Sequence, residues 1–180
     1  MKVIAVCGSA RKNGNTEALL GAALDGARKA GAKTELITLC DKSIKMCDGC
    51  CYCDTAKKCH IKDDMAKVFA KLLSTDAIIF GTPCYWDNMS GLLKNFFDRM
   101  NAFCIDRPLN GKKAGIVAVS GGGKEHADHA IGAVRRFTEA QKMHFAASMG
   151  AKAYKPGEIK NDAKKMADAR ALGEAVARMR

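Results

Sequence analysis

Short β-branched runs recur along this chain, each followed by a stretch of helical periodicity, and that alternation limits the fold more than any other feature. The first run, KVIAVC (Lys2 to Cys7), is apolar at consecutive positions and stops at Gly8, which suits a strand buried on both faces. A helical pattern follows from about Asn15 to Ala30, with Leu19, Leu20, Ala23, Leu24 and Ala27 on one side and Gly31 as its stop. KTELITL (Lys33 to Leu39), DAIIFG (Asp76 to Gly81), GKKAGIVAV (Gly111 to Val119) and His144 to Lys152 read as further strands. Further helices are expected over about Asp64 to Leu73, Met89 to Ala102, Lys124 to Met143 and Asn161 to Arg180. Five strands alternating with five helices predict an α/β fold, a doubly wound parallel sheet with helices on both faces. With 180 residues and neither repeat nor linker, the chain reads as one domain over 1–180.

In such sheets ligands sit beyond the carboxyl ends of the strands, at the topological switch point. Three loops there carry unusual chemistry. GSARKNGNT (Gly8 to Thr16) offers Ser9, Arg11, Asn13, Asn15 and Thr16 to one anion at the start of a helix. It lacks the glycine spacing of a dinucleotide fingerprint, because Ala10 and Asn13 stand where glycines belong, and it suits a terminal phosphate monoester better than a buried pyrophosphate. A polar turn with an ordinary N-cap is the alternative. GTPCYWDNMSGLLKNFFDR (Gly81 to Arg99) follows strand three, with Pro83 stiffening its exit and Cys84, Tyr85, Trp86 and Asn88 at the carboxyl end. The two aromatic rings there suit a planar cofactor, or else they cap the core. SGGGKEH (Ser120 to His126) lets the backbone at Ser120, Gly121 and Gly122 approach a ligand, yet it departs from an ATP-binding loop. His126 and His129, at helical spacing, read as solvated surface residues.

Five of the nine cysteines fall within CDGCCYCDTAKKC, Cys47 to Cys59. Cys47, Cys50, Cys53 and Cys59 read C-x2-C-x2-C-x5-C, and successive x2 spacing turns thiolates toward one compact polynuclear centre, as in bacterial ferredoxins. Zinc sites more often use two separated ligand pairs. Zinc and free thiols remain the alternatives. Cys51 is expected to point away, His60 is a second-choice ligand beside Cys59, and Cys7 and Cys104 read as packing residues.

The N-terminal apolar run is too short for a secretory signal and no run approaches a membrane span, so a cytoplasmic protein with reduced thiols is expected. Lysine and arginine number 30 against 19 acidic residues, a net charge of +11 that favours anionic ligands or acidic partners. Nucleic acid is not expected, because aromatics make up only 6% and no basic block or binding motif is present.

Taken together, GSARKNGNT, GTPCYWDNMSGLLKNFFDR and the compact cysteine motif resemble the iron-sulfur flavoprotein family, within the flavodoxin-like FMN reductases. The resemblance spans about Met1 to Lys124 and implies a flavodoxin-like fold, FMN with its phosphate on the first loop and its isoalloxazine at the second, and a 4Fe-4S cluster on Cys47, Cys50, Cys53 and Cys59. It also implies a homodimer or homotetramer. The expected function is electron transfer between a donor, an acidic ferredoxin or NAD(P)H, and an acceptor. A cluster-free NAD(P)H-dependent FMN or quinone reductase is the principal rival, and a zinc-bearing interaction module is a non-enzymatic one.

Overall fold

Val3, Ala5 and Cys7 join the core on one face of the first strand and Ile4 and Val6 the core on the other, and all five are 0% exposed. That two-sided burial follows from the period-2 alternation of a strand in a sheet covered on both faces. The computed structural model describes residues 1–103 and 106–179, so Cys104 and the predicted helix end at Arg180 lie outside the described residues.

The elements run β1 (Lys2–Cys7), α1 (Asn15–Lys29), β2 (Lys33–Thr38), α2 (Tyr52–Ala56), α3 (Met65–Leu73), β3 (Ala77–Tyr85) and β4 (Asn88–Met89). They continue with α4 (Gly91–Arg99), β5 (Lys113–Ser120), α5 (Lys124–Ala140), β6 (His144–Lys152) and α6 (Ala163–Arg178). Five strands pair in parallel in the order β2-β1-β3-β5-β6, while β4 pairs antiparallel with β3. The strand order turns back at β1, between β2 and β3, which puts the switch point at the carboxyl ends of β1 and β3. One face of the sheet carries α1 and α6 through Leu19, Leu20, Ala23, Leu172 and Val176. The other carries α3, α4 and α5 through Phe69, Leu72, Leu93, Phe96, Phe97, Ile131 and Val134.

The structure departs from the sequence reading in three places. β3 runs on to Tyr85, past the expected end at Gly81, and turns into β4 through Trp86 and Asp87. Both turn residues are left-handed, with φ of 50° and 55°, as a two-residue hairpin turn requires. The helix expected from Met89 therefore starts at Gly91, where the Ser90 hydroxyl accepts from Leu93 N at 3.1 Å and caps it. Inside the cysteine loop lies the unforeseen five-residue α2, bounded by left-handed Cys51 and Lys57. No helix among the described residues is long and apolar enough to cross a membrane.

Candidate functional site

The ends of β1 and β3 are tied to the start of α4. Gly8 N donates to the Gly81 carbonyl at 2.8 Å, Ser90 Oγ donates to the Gly8 carbonyl at 2.6 Å, and Ser90 N donates to Thr82 Oγ1 at 2.9 Å. A Cβ on Gly8 would lie 2.6 Å from the Leu93 Cβ, so only glycine lets α4 come this close.

Above this junction opens a cavity of about 870 Å³. Its lining includes Ser9, Arg11, Asn15 and Thr16 from the first loop, Pro83, Cys84, Tyr85 and Trp86 from the second, and Ser120, Gly121 and Gly122 from the third. The size is ordinary for a cofactor site. Asn13 and Asn88 are not in the lining: Asn13 N donates to Glu17 Oε2 at 2.8 Å, and Asn88 Oδ1 accepts from Met89 N. The Asn13 backbone and the Asn88 side chain are thus both engaged in local turn geometry, which residue type and spacing do not reveal.

At one end of the cavity, Ser9 and Thr16 are buried to 4% and 2% exposure. The α1 N-cap is Gly14, which supplies no side-chain acceptor, so the first-turn amides keep their affinity for an anion. Arg11 is exposed and reaches across to donate from Nη1 to the Tyr154 carbonyl at 3.4 Å. Asn15 lines the cavity and also braces a distant turn. Its Nδ2 donates to the Lys155 carbonyl at 2.9 Å and its Oδ1 accepts from Ile159 N at 3.2 Å, so both ends hold the 155–159 turn.

Sequence reasoning missed Asp87, His126 and Tyr154 in the lining. The β3–β4 hairpin carries Asp87 to the first turn of α5, where its carboxylate pairs with His126 Nδ1. That hydrogen bond, with the carboxylate's charge, raises the His126 pKa above its ordinary 6.5. His129 Nδ1 stands 3.8 Å from the same carboxylate, so the two histidines share an acidic partner across the hairpin. Cys84 Sγ donates to the His126 carbonyl at 3.0 Å, and partial burial raises its thiol pKa.

At the other end of α4 the cysteine loop folds over a hollow of about 60 Å³ lined by Cys47, Cys50, Cys51, Cys53 and Cys59. Cys51, expected to point away, also lines it, because a left-handed backbone at φ 56° redirects the chain there. All eight described cysteines are free thiols, and Cys7 is fully buried, its pKa pushed up to about 12 by that burial. His60 turns to Asp48, 2.8 Å away, and Asp48, Cys50 and His60 bring their ligand atoms within 4.8 Å of one another. Among the described residues no three thiols gather that closely, whereas a tetrahedral zinc site with bonds near 2.3 Å needs sulfurs roughly 4 Å apart.

Beneath the loop sits a buried ion pair. Arg99 and Asp63 have side chains 1% and 2% exposed, and Arg99 Nη1 donates to Asp63 Oδ2 at 2.5 Å. Arg99 Nη2 donates to Asp63 Oδ1 at 3.2 Å and to the Cys59 sulfur at 3.5 Å, while Nη1 also reaches the Lys45 carbonyl at 2.8 Å. Asp63 accepts from Lys45 N and Met65 N, both at 2.9 Å. Burial works to raise the Asp63 pKa, but Arg99 and the two amides outweigh it and hold the carboxyl below its usual range.

The family model for NADPH-dependent FMN reductases matches residues 1–171. An iron-sulfur flavoprotein of Methanocaldococcus jannaschii is 35% identical over 98% of this chain and 96% of its own length. A second, from Archaeoglobus fulgidus, is 34% identical over 68% of this chain, and that match spans only 56% of the relative. In fold, the chain is similar to an NAD(P)H:quinone oxidoreductase from Methanothermobacter marburgensis, with a TM-score of 0.76 at 16% identity over 100% of this chain and 98% of that one. It is also similar to the two-electron reduced flavodoxin of Megasphaera elsdenii, with a TM-score of 0.64 at 21% identity over 98% and 99% of the two chains. With a flavodoxin-like sheet, a cavity at its switch point and a family match along nearly its whole length, the chain belongs to the NADPH-dependent FMN reductase family of flavin-dependent oxidoreductases.

Proposed function

We propose that this protein is an electron-transferring flavoprotein that holds FMN in the large cavity and a 4Fe-4S cluster on Cys47, Cys50, Cys53 and Cys59. The observation that carries the reading is that one molecule has both a cavity of mononucleotide size lined by Ser9, Arg11 and Thr16 and a separate hollow walled by thiols. The cavity fits FMN by its chemistry: Ser9, Thr16, Arg11 and the first-turn amides of α1 supply donors for a phosphate, and Tyr85 and Trp86 supply flat apolar faces. The hollow fits a cluster by donor type, since five cysteine sulfurs line it and thiolate sulfur, formed on metal binding, is the ligand that iron-sulfur clusters take.

When bound, FMN exchanges one or two electrons and the cluster one at a time, which joins single-electron donors to two-electron acceptors. The protein's own residues bind and orient these groups. The first loop holds the phosphate, the β3–β4 hairpin walls the ring, and Arg99 supports the ligand loop from beneath. Exposed Lys57 and Lys58, in a loop that also carries Asp48 and Asp54, offer two cationic contacts to an acidic ferredoxin as donor. A cytoplasmic homodimer or homotetramer is part of the proposal, supported by the family resemblance.

Anaerobic purification followed by iron, sulfide, zinc and FMN analysis tests this. The expected content is about four iron, four sulfide and one FMN per chain. FMN without iron would instead support the cluster-free NAD(P)H-dependent FMN or quinone reductase, and zinc on the thiols a metal-bearing interaction module.

A further inference from the structure

Helix α4 begins at the flavin cavity, where Ser90 bonds Gly8, and ends beneath the thiols with Arg99. Nine residues at about 1.5 Å each make it roughly 14 Å long. Two side chains from its last residue and the turn after it donate to the thiols. Arg99 Nη2 donates to Cys59 at 3.5 Å, and Asn101 Nδ2 donates to Cys53 at 3.8 Å.

The Arg99 guanidinium is also incompletely used. Its Nε is buried and has no hydrogen-bond partner, although the side chain is only 1% exposed. A buried cationic donor without an acceptor is costly, so such a group marks a place where an acceptor belongs. Arg99 lines the thiol hollow, and sulfur carrying negative charge is an acceptor of the kind a guanidinium takes. Asp63 balances the cation and, through the Lys45 and Met65 amides, fixes the chain on both sides of the cysteine loop.

We infer that Arg99 is a positioning residue for the thiol-bound centre, with Asn101 as its lesser partner: it orients Cys59 and raises the centre's reduction potential. The inference rests on the cluster reading proposed above. Reduction adds one electron and no proton, so the centre becomes more negative by one charge, and hydrogen bonds to its sulfurs favour that reduced form. A residue that only braced the loop would alter stability and leave the potential where it was.

The test uses the anaerobically purified holoprotein and the variants R99K and N101A. Iron and sulfide are counted, and the potentials of centre and flavin are read separately by EPR and absorbance. R99K keeps the cation but not the planar fork, so it is expected to shift the one-electron equilibrium about tenfold toward the oxidised form, about 59 mV. N101A is expected to shift it the same way by about threefold. The flavin potential, measured at the other end of α4, stays put in both. If R99K loses its iron, N101A decides, and an unchanged potential there overturns the inference. Full iron with unchanged potentials in both variants also overturns it and leaves the cluster reading standing. Wild-type protein without iron or sulfide overturns both.

Discussion

Arg99 and Asp63 form a bidentate ion pair that is almost wholly shielded from solvent, with the guanidinium shared between the carboxylate and the Cys59 sulfur. The pair joins α4 to both stems of the cysteine loop, so what reads in sequence as a separate metal-binding insertion is anchored to the main core. Removing one partner leaves the other charge buried and uncompensated. Asp63→Asn should lower the unfolding free energy by about 3 to 5 kcal/mol in urea melts. Because the folded-state pKa of Asp63 is depressed, its contribution is present above the ordinary carboxylate pKa and is lost as pH falls through the lower folded value. Wild-type protein should therefore lose stability in acid more steeply than Asp63→Asn.

Two neighbours in the first loop should separate under mutation. A hydrogen bond to a charged group is worth roughly 1.5 to 3 kcal/mol, so Arg11→Ala should weaken FMN by about tenfold or more with little change in melting temperature. Asn15→Ala should lower stability by about 1 to 3 kcal/mol, because it frees the Lys155 carbonyl and the Ile159 amide. FMN titrations and thermal melts on the two variants check this.

Single Ala substitutions at Cys47, Cys50, Cys53 or Cys59 should remove iron and sulfide and leave FMN bound, since the hollow and the cavity lie at opposite ends of α4. Cys51→Ala should keep its iron. Metal analysis showing Cys51 essential and Cys53 dispensable would mean that the ligand register is shifted.

His126 should titrate above 6.5 in NMR spectra and return toward that value in Asp87→Asn. A raised folded-state pKa means that the pairing stabilises fully below about 6.5 and that this contribution fades as pH rises through the folded value. Both side chains are nearly half exposed, so the effect on global stability is small, and the signature to seek is the position of the midpoint.

What the sequence made legible was what is local. The two-sided burial of β1 follows from KVIAVC itself, and the cysteine motif lies within thirteen residues, so both could be read directly. The hairpin at Trp86 and Asp87 could not, because neither residue is the Asn or Gly that announces a left-handed turn, and that turn displaced the start of α4. The Asp87–His126 pair depends on the same turn and spans 39 residues, so no pattern announced it. Arg99 and Asp63 lie 36 residues apart, and Arg99 looked like an ordinary charge at a helix end. Asn15 was placed at the cavity by its loop, but its bonds to a turn about 140 residues away turn it into a wall support.

If one chain carries a one-electron centre beside its flavin, an anaerobic reductive titration counts it directly. Wild-type protein should take up about three electrons per chain, two for FMN and one for the thiol-bound centre, and Cys53→Ala about two. Two electrons in the wild type, with an uptake curve superimposable on that of Cys53→Ala, would contradict the account.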